Sequence, residues 1–137
     1  MTHDEILTTL GHYVDYLIAG STAEAPLWNI EKVRSGKPNN INQGKNLFTL
    51  YDLTGEQRYR DAIETIRSQL ETQPRTKEGN FWHKKIYPNQ VWLDGTYMAQ
   101  PFYMEYETRC NGMHGCIDSY KQFMNIQKHM KDAKTGL

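Results

Sequence analysis

The sequence has no long apolar run and no excess of charge of either sign. No run approaches the roughly 20 apolar residues that a helix needs to cross a bilayer, so we expect no membrane as a partner. The chain of 137 residues balances 16 Lys and Arg against 16 Asp and Glu. This balance argues against the strongly basic surface that binds nucleic acids. We therefore expect no nucleic acid as a partner either.

Cysteine is also scarce. The chain has only Cys110 and Cys116, too few for a disulfide framework, and reduced thiols are the norm in the cytosol. The N-terminus, Met1–Glu5, lacks the basic and then apolar order of a secretory signal. Both features predict a cytoplasmic protein. The two cysteines and the intervening His114 do not have the paired spacing of a zinc site, so we predict no metal and no cofactor.

Apolar residues make up only 38% of the chain, whereas aromatic residues reach 12% and include nine tyrosines. The length fits one domain covering residues 1–137. Tyrosine and tryptophan combine an apolar face with a polar group, which suits a buried core and also the binding of sugars. The composition therefore indicates either a small core or a large aromatic cleft.

Helical periodicity predicts an all-α fold. Thr2 and Glu5 have capping-box spacing and start a first helix over about residues 4–19. A long polar loop follows over residues 21–40. Thr54 is predicted to cap a later helix, because Gln57 lies three residues beyond it. The four remaining helices are expected over about residues 41–53, 56–72, 94–108 and 116–132.

These four helices form two pairs, each an inner helix followed by a more polar outer one. A very short turn makes the pair 41–53 and 56–72 an antiparallel hairpin. Helix 56–72 has a single apolar stripe and should turn its arginines outward. Helix 94–108 is apolar almost all round, and Pro101 should kink it or end its regular first part. Hairpins of this kind stack into α/α toroids or solenoids.

Aromatic and basic residues concentrate between the two pairs, in residues 80–98. Taken alone, Asp94 is most simply a helix N-cap. On the same terms His83 is a surface or core histidine, and Trp82 and Trp92 are core residues. Loops held by rigid elements often carry function, so the alternative for Asp94 is a catalytic acid in a carbohydrate site.

The run from Gln73 to Phe102 contains Asn-Phe-Trp-His-Lys-Lys and Trp-Leu-Asp-Gly-Thr-Tyr-Met. It resembles the unsaturated rhamnogalacturonyl hydrolases, glycoside hydrolase family 105. Residues 40–45 and 134–137 are similar to further parts of the same pattern. The resemblance implies a six-hairpin α/α toroid, of which this chain would supply the N-terminal portion, about five of twelve helices.

The resemblance also implies a site and a reaction. The substrate would be a small unsaturated galacturonyl-rhamnose oligosaccharide from the breakdown of rhamnogalacturonan in pectin. Unlike glycosidases with two carboxylates, these enzymes protonate C4 of the unsaturated uronic acid and add water at C5. The implied catalytic acid is Asp94, and the implied substrate-binding residues are Asn39, His83, Lys84, Trp92 and Met98.

The sequence departs from the family pattern in two ways. The family usually has an aspartate where this chain has Asn39. A second carboxylate would help Asp94 to keep a proton, and an amide cannot do so. Family members are also well over twice as long. The alternative function is therefore a non-catalytic truncated or degenerate member that binds sugar or a partner chain. An open half-toroid would expose apolar inner-helix surface and favour self-association.

Overall fold

The computed structural model describes residues 2, 4–5, 8–9, 12, 39–42 and 44–136. Over these ranges the secondary structure is helical, apart from one isolated β-bridge between Arg75 and Phe81. The predicted all-α class is confirmed. From residue 39 onward, the described helices are α1 (Asn39–Asn42), α2 (Gly44–Thr54), α3 (Gln57–Thr72), α4 (Leu93–Cys110) and α5 (Cys116–Met130).

The predicted capping box at the N-terminus is present. The Thr2 N–H donates to the Glu5 carboxylate at 2.7 Å, and the Glu5 N–H donates to the Thr2 hydroxyl at 3.2 Å. Residues 4, 5, 8, 9 and 12 are helical, in agreement with the predicted first helix. The rest of that helix, and residues 21–38 of the predicted loop, lie outside the described residues. Residues 39 and 40 are helical rather than part of the loop.

Helices α2 and α3 form the expected antiparallel hairpin. Gly55 adopts a left-handed conformation with φ +67°, and its N–H donates to the Tyr51 carbonyl at 2.8 Å. This geometry ends α2 and reverses the chain, and it favours glycine. The apolar stripe of α3 is buried as predicted and consists of Tyr59, Ile63, Ile66 and Leu70.

The predicted cap of α3 is wrong. Glu56 occupies the N-cap position, and α3 begins at Gln57. Thr54 instead ends α2, where its hydroxyl donates to the Leu50 carbonyl at 2.8 Å and accepts the Glu56 N–H at 3.2 Å. The Thr-x-x-Gln spacing matched a capping box, but the preceding helix extends far enough to include Thr54.

Helix α4 packs against the hairpin and completes the core. Phe102 is fully buried, and its ring centroid lies 5.6 Å from that of Phe48 on α2. Gly44 makes this approach close, because a Cβ atom there would lie 2.5 Å from the Phe102 ring. Pro101 lies inside α4 without ending it.

Part of the polar flank of α3 faces α4, which corrects the predicted outward orientation of Arg60 and Arg67: these two contact Cys110 and Glu107. Arg58 is exposed, as predicted. The Tyr106 hydroxyl donates to the Glu64 carboxylate at 2.6 Å. Burial, followed by this hydrogen bond, raises the pKa of Tyr106 to about 12. Arg67 donates from Nε and pairs from a terminal nitrogen, both at 2.9 Å, with one oxygen of the fully buried Glu107.

Helix α5 has its polar face buried and its apolar face exposed. The buried residues of α5 are Ser119 and Gln122. We call the exposed row on the other side the α5 stripe; it consists of Ile117, Tyr120, Phe123, Met124 and Met130. The helix is thus an outer helix, as predicted, but polar contacts attach it to the rest of the fold.

Across the described residues, no helix is both long enough and apolar enough to cross a membrane.

Candidate functional site

The segment between α3 and α4 is a compact loop held by backbone hydrogen bonds. Near its start, the Trp82 N–H donates to the Pro74 carbonyl at 2.9 Å. Further along, the His83 N–H donates to the Gln90 carbonyl at 2.7 Å. The loop therefore doubles back on both sides of residues 82–83 and holds them in a fixed place beside the first turn of α4.

Three aromatic rings of this loop are stacked. The His83 and Trp92 rings lie 4.2 Å apart between centroids and 6° from parallel. Tyr87 and Trp92 are 5.7 Å apart and 9° from parallel. The Lys84 ammonium lies 5.8 Å from the Tyr87 centroid and 5.7 Å from that of Trp92. Because Tyr87 is 37% and Trp92 42% exposed, the outer end of the stack offers aromatic surface to solvent next to a positive charge.

His83 is the buried end of the stack, with only 2% of its surface accessible. Its Nδ1 atom has no hydrogen-bond partner among the described residues. Burial lowers the pKa of His83, and the charge of Lys84 lowers it further against the opposing charge of Asp94. The ring is therefore neutral at neutral pH. Gly95 is tightly packed here, since a Cβ atom on it would lie 2.6 Å from Nδ1.

Asp94 lies in the first turn of α4 and is exposed. The N-cap of α4 is Trp92, so the simple prediction that Asp94 caps the helix is wrong. Asp94 has no hydrogen bond or ion pair with the described residues. Its carboxylate is thus accessible to a ligand.

The two remaining predicted binding residues are Met98 and Asn39. Met98, one turn after Asp94, is buried at the edge of the core. Asn39 begins α1, which packs against α4, but its side chain lies outside the described residues. On the exposed side of the same turn of α4, Lys45 lies 5.1 Å from the ring centroid of Tyr97.

The structure therefore gathers His83, Lys84, Trp92 and Asp94 at the N-terminal end of α4. Tyr87 and Gly95 also contact this cluster but were not among the residues predicted for the site. The aromatic character of Tyr87 was visible in the loop, and a glycine in the first turn of a helix was a signal of close packing, because glycine is a poor helix former.

A cavity of about 480 Å³ lies between the same loop and α5. Val91, Ile126 and Met130 contribute its apolar lining. At its rim, Glu78 pairs with Lys128 at 3.0 Å and with His129 at 2.7 Å. The hydrogen bond from Lys128, followed by that from His129, lowers the pKa of Glu78. Among the described residues, no group of three His, Cys, Asp or Glu side chains could hold a metal ion.

The accessible carboxylate, the aromatic rings and the lysine are the kinds of group that carbohydrate sites use. Comparison with known proteins identifies the class. Residues 4–137 match the profile of Glycosyl Hydrolase Family 88, and the chain belongs to this family.

A solved glycoside hydrolase from family 105 of C. acetobutylicum ATCC 824 is similar in structure, with a TM-score of 0.74 and 43% sequence identity. The match covers 77% of this chain and 29% of that chain. The predicted family is confirmed, and so is the fold class of helical hairpins from an α/α toroid.

Proposed function

We propose that the site at the N-terminal end of α4 hydrolyses unsaturated galacturonyl-rhamnose oligosaccharides, with Asp94 as the acid. The observation that carries this proposal is the exposed Asp94 carboxylate beside the stack of His83, Trp92 and Tyr87. A flat sugar ring can pack on exposed aromatic surface while a nearby carboxyl group reaches its double bond.

The charges at the site suit a uronic acid. Lys84, whose ammonium lies over the stack, supplies the cation for the substrate carboxylate. His83 is neutral at neutral pH because burial lowers its pKa. It therefore acts by supporting Trp92 from its buried side, and the Lys84 ammonium supplies the positive charge.

In the proposed reaction the Asp94 carboxyl group transfers its proton to C4 of the substrate. The positive charge that forms at C5 is shared with the ring oxygen. Water adds to C5 as a hydroxyl group and gives one of its protons to the Asp94 carboxylate, which restores the acid. The resulting hemiketal opens to a ketone at C5, and the hemiacetal then left at C1 releases the rhamnose-bearing product.

The test is an assay of the ultraviolet absorbance of the C4=C5 bond with an unsaturated galacturonyl-rhamnose disaccharide. We expect Asp94→Asn to lower kcat by at least about 100-fold, the range lost with a general acid. Asp61→Asn, which changes an exposed carboxylate on α3, should leave kcat unchanged. Equal activity of the wild type and Asp94→Asn would refute the role of Asp94.

A second candidate function is non-catalytic sugar binding. It is favoured by Asn39, an amide where the resemblance to family 105 implies a carboxylate, and by the 29% of the related hydrolase that this chain covers. Calorimetric binding of the same disaccharide by folded protein, without loss of the double bond, would select this function. The cytoplasmic location stays a prediction.

A further inference from the structure

Gln122 on α5 is the centre of a buried hydrogen-bond network. The residue is 2% exposed. Its side-chain oxygen accepts the Phe81 N–H and an amide hydrogen of Gln100, both at 3.1 Å. Its side-chain nitrogen donates to Asp118 at 3.1 Å, and its backbone carbonyl accepts the Asn80 amide at 2.9 Å. Every polar group of the side chain is therefore used.

The two partners of the Gln122 oxygen belong to the two halves of the candidate site. Phe81 lies in the loop two residues before His83. Gln100 lies on α4, the helix that carries Asp94 in its first turn. Gln122 lies on neither half, and one of its oxygen atoms joins them.

Asp118 makes a second connection between the loop and α4. Asp118, one turn before Gln122, pairs with both terminal nitrogens of Arg75 at 2.9 Å and accepts the Tyr103 hydroxyl at 3.0 Å. Burial alone would raise the pKa of Asp118, but the hydrogen bond and charge of Arg75, helped by Tyr103 and Gln122, hold it below its usual value. Arg75 begins the loop and Tyr103 lies on α4, so this carboxylate also joins loop and helix.

We propose that Gln122 is a positioning residue that sets the distance between the aromatic loop and Asp94. The expected effect of Gln122 on turnover rests on the proposed function. Its effect on the placement of the loop does not depend on that function. Buried polar groups left without partners are costly, so removing the Gln122 amide releases the Phe81 N–H and lets the loop move relative to α4. A small misplacement of reacting groups lowers the rate of the chemical step.

The experiment compares Gln122→Leu with Glu107→Gln. Both variants disturb a fully buried polar network, but Glu107 joins α3, α4 and the turn before α5. We expect Gln122→Leu to speed hydrogen exchange of the Phe81 and His83 amides at least tenfold relative to Ile63 in the core. Glu107→Gln should lower the melting temperature and leave that ratio unchanged.

Kinetics provide the second measurement, at a temperature where each variant is fully folded. We expect Gln122→Leu to lower kcat at least tenfold per folded molecule, with a smaller change in KM, and Glu107→Gln to leave both unchanged. If Gln122→Leu does not fold, Gln122→Glu takes its place. That variant keeps an acceptor for Phe81 and loses the donor to Asp118, so we expect a smaller increase in exchange.

An unchanged exchange ratio in the folded Gln122 variant would overturn the positioning role, whatever the activity. Equal effects of the Gln122 and Glu107 variants on the loop amides would overturn it too, because they would show a general loss of stability. A wild type that binds sugar without turnover would refute the proposed reaction alone, since the exchange measurement does not depend on catalysis.

Discussion

At the scale of single residues, burial decides the role of His83. The ring is stacked on Trp92, pressed against Gly95 and cut off from water. A histidine in such a place is stable in its neutral form, because burial penalises its charge. The pattern of the loop predicted that His83 and Trp92 would share a site. It could not predict that His83 would be the buried end of the stack and that Trp92 and Tyr87 would form its exposed part.

We expect the stability of the protein to fall as the pH drops below about 6.5, the usual pKa of histidine. The pKa of His83 is lowered in the folded state, so below that pH the unfolded chain binds a proton that the folded chain does not. Acid therefore favours unfolding until the folded pKa is reached. The measurement is the free energy of unfolding in urea between about pH 5 and 7.5, a range that includes the usual pKa of histidine.

In His83→Phe the free energy of unfolding should decline less as the pH falls, since phenylalanine can stack on Trp92 and does not titrate. His114→Gln is the matched control, because His114 is an exposed histidine in the turn between α4 and α5. It should decline as the wild type does. A wild type and a His83→Phe variant with the same pH dependence would contradict the prediction.

At the scale of helices, the pair of Arg67 and Glu107 shows where periodicity stops being informative. The apolar stripe of α3 was predicted residue by residue and is buried as expected. The polar flank was expected to face solvent. Helix α4 lies against that flank and brings a fully buried carboxylate to Arg67. Spacing shows which residues share a face, but the neighbour of each face depends on how the helices pack.

We expect Arg67→Met to destabilise the fold by about 3–5 kcal/mol, the typical cost of removing one partner of a buried ion pair. Glu107 would be left buried with Asn111 and the Gly115 N–H as its remaining donors. Arg109→Met is the comparison, because the Arg109–Asp52 pair at 2.7 Å is largely exposed and such pairs contribute about 0–1 kcal/mol.

The free energy of unfolding in urea measures both changes. If Arg67→Met lowers the free energy of unfolding no more than Arg109→Met does, Glu107 is adequately solvated or paired without Arg67. Circular dichroism of the folded baseline checks that each variant retains its helices.

At the scale of the whole molecule, the α5 stripe is the surface that needs explanation. Its five residues, from Ile117 to Met130, follow one side of the helix for about 20 Å, at 1.5 Å per residue. Soluble monomers rarely expose a long apolar row of this kind. The sequence predicts exposed apolar surface on inner helices, and Leu93 and Tyr97 of α4 are exposed. The α5 stripe is a longer exposed row, and it belongs to an outer helix.

We expect the α5 stripe to bind the same stripe of a second copy. The stripe is uncharged, and the chain has 16 basic and 16 acidic residues, so copies do not repel each other at long range. Light scattering after gel filtration should then give about twice the chain mass of 16.0 kDa. The double change Tyr120→Glu and Phe123→Glu should give a monomer.

Leu53→Glu is the matched control, because Leu53 is an exposed apolar residue on α2, outside the α5 stripe. It should leave the dimer intact. A monomeric wild type at high concentration, or dissociation by Leu53→Glu as well, would exclude the second copy as the partner of this stripe.

The sequence by itself determined the four longer helices, the hairpin of α2 and α3, and the family, and it predicted the candidate site. These features depend on local periodicity, on turn residues such as Gly55, and on a run of residues close in the chain. Only the tertiary structure decided how the faces are used: the burial of His83, the inward turn of Arg67, the network around Gln122 and the exposed α5 stripe. The physical reason is that hydrogen bonds and burial between distant residues depend on helix packing, which neither spacing nor composition specifies.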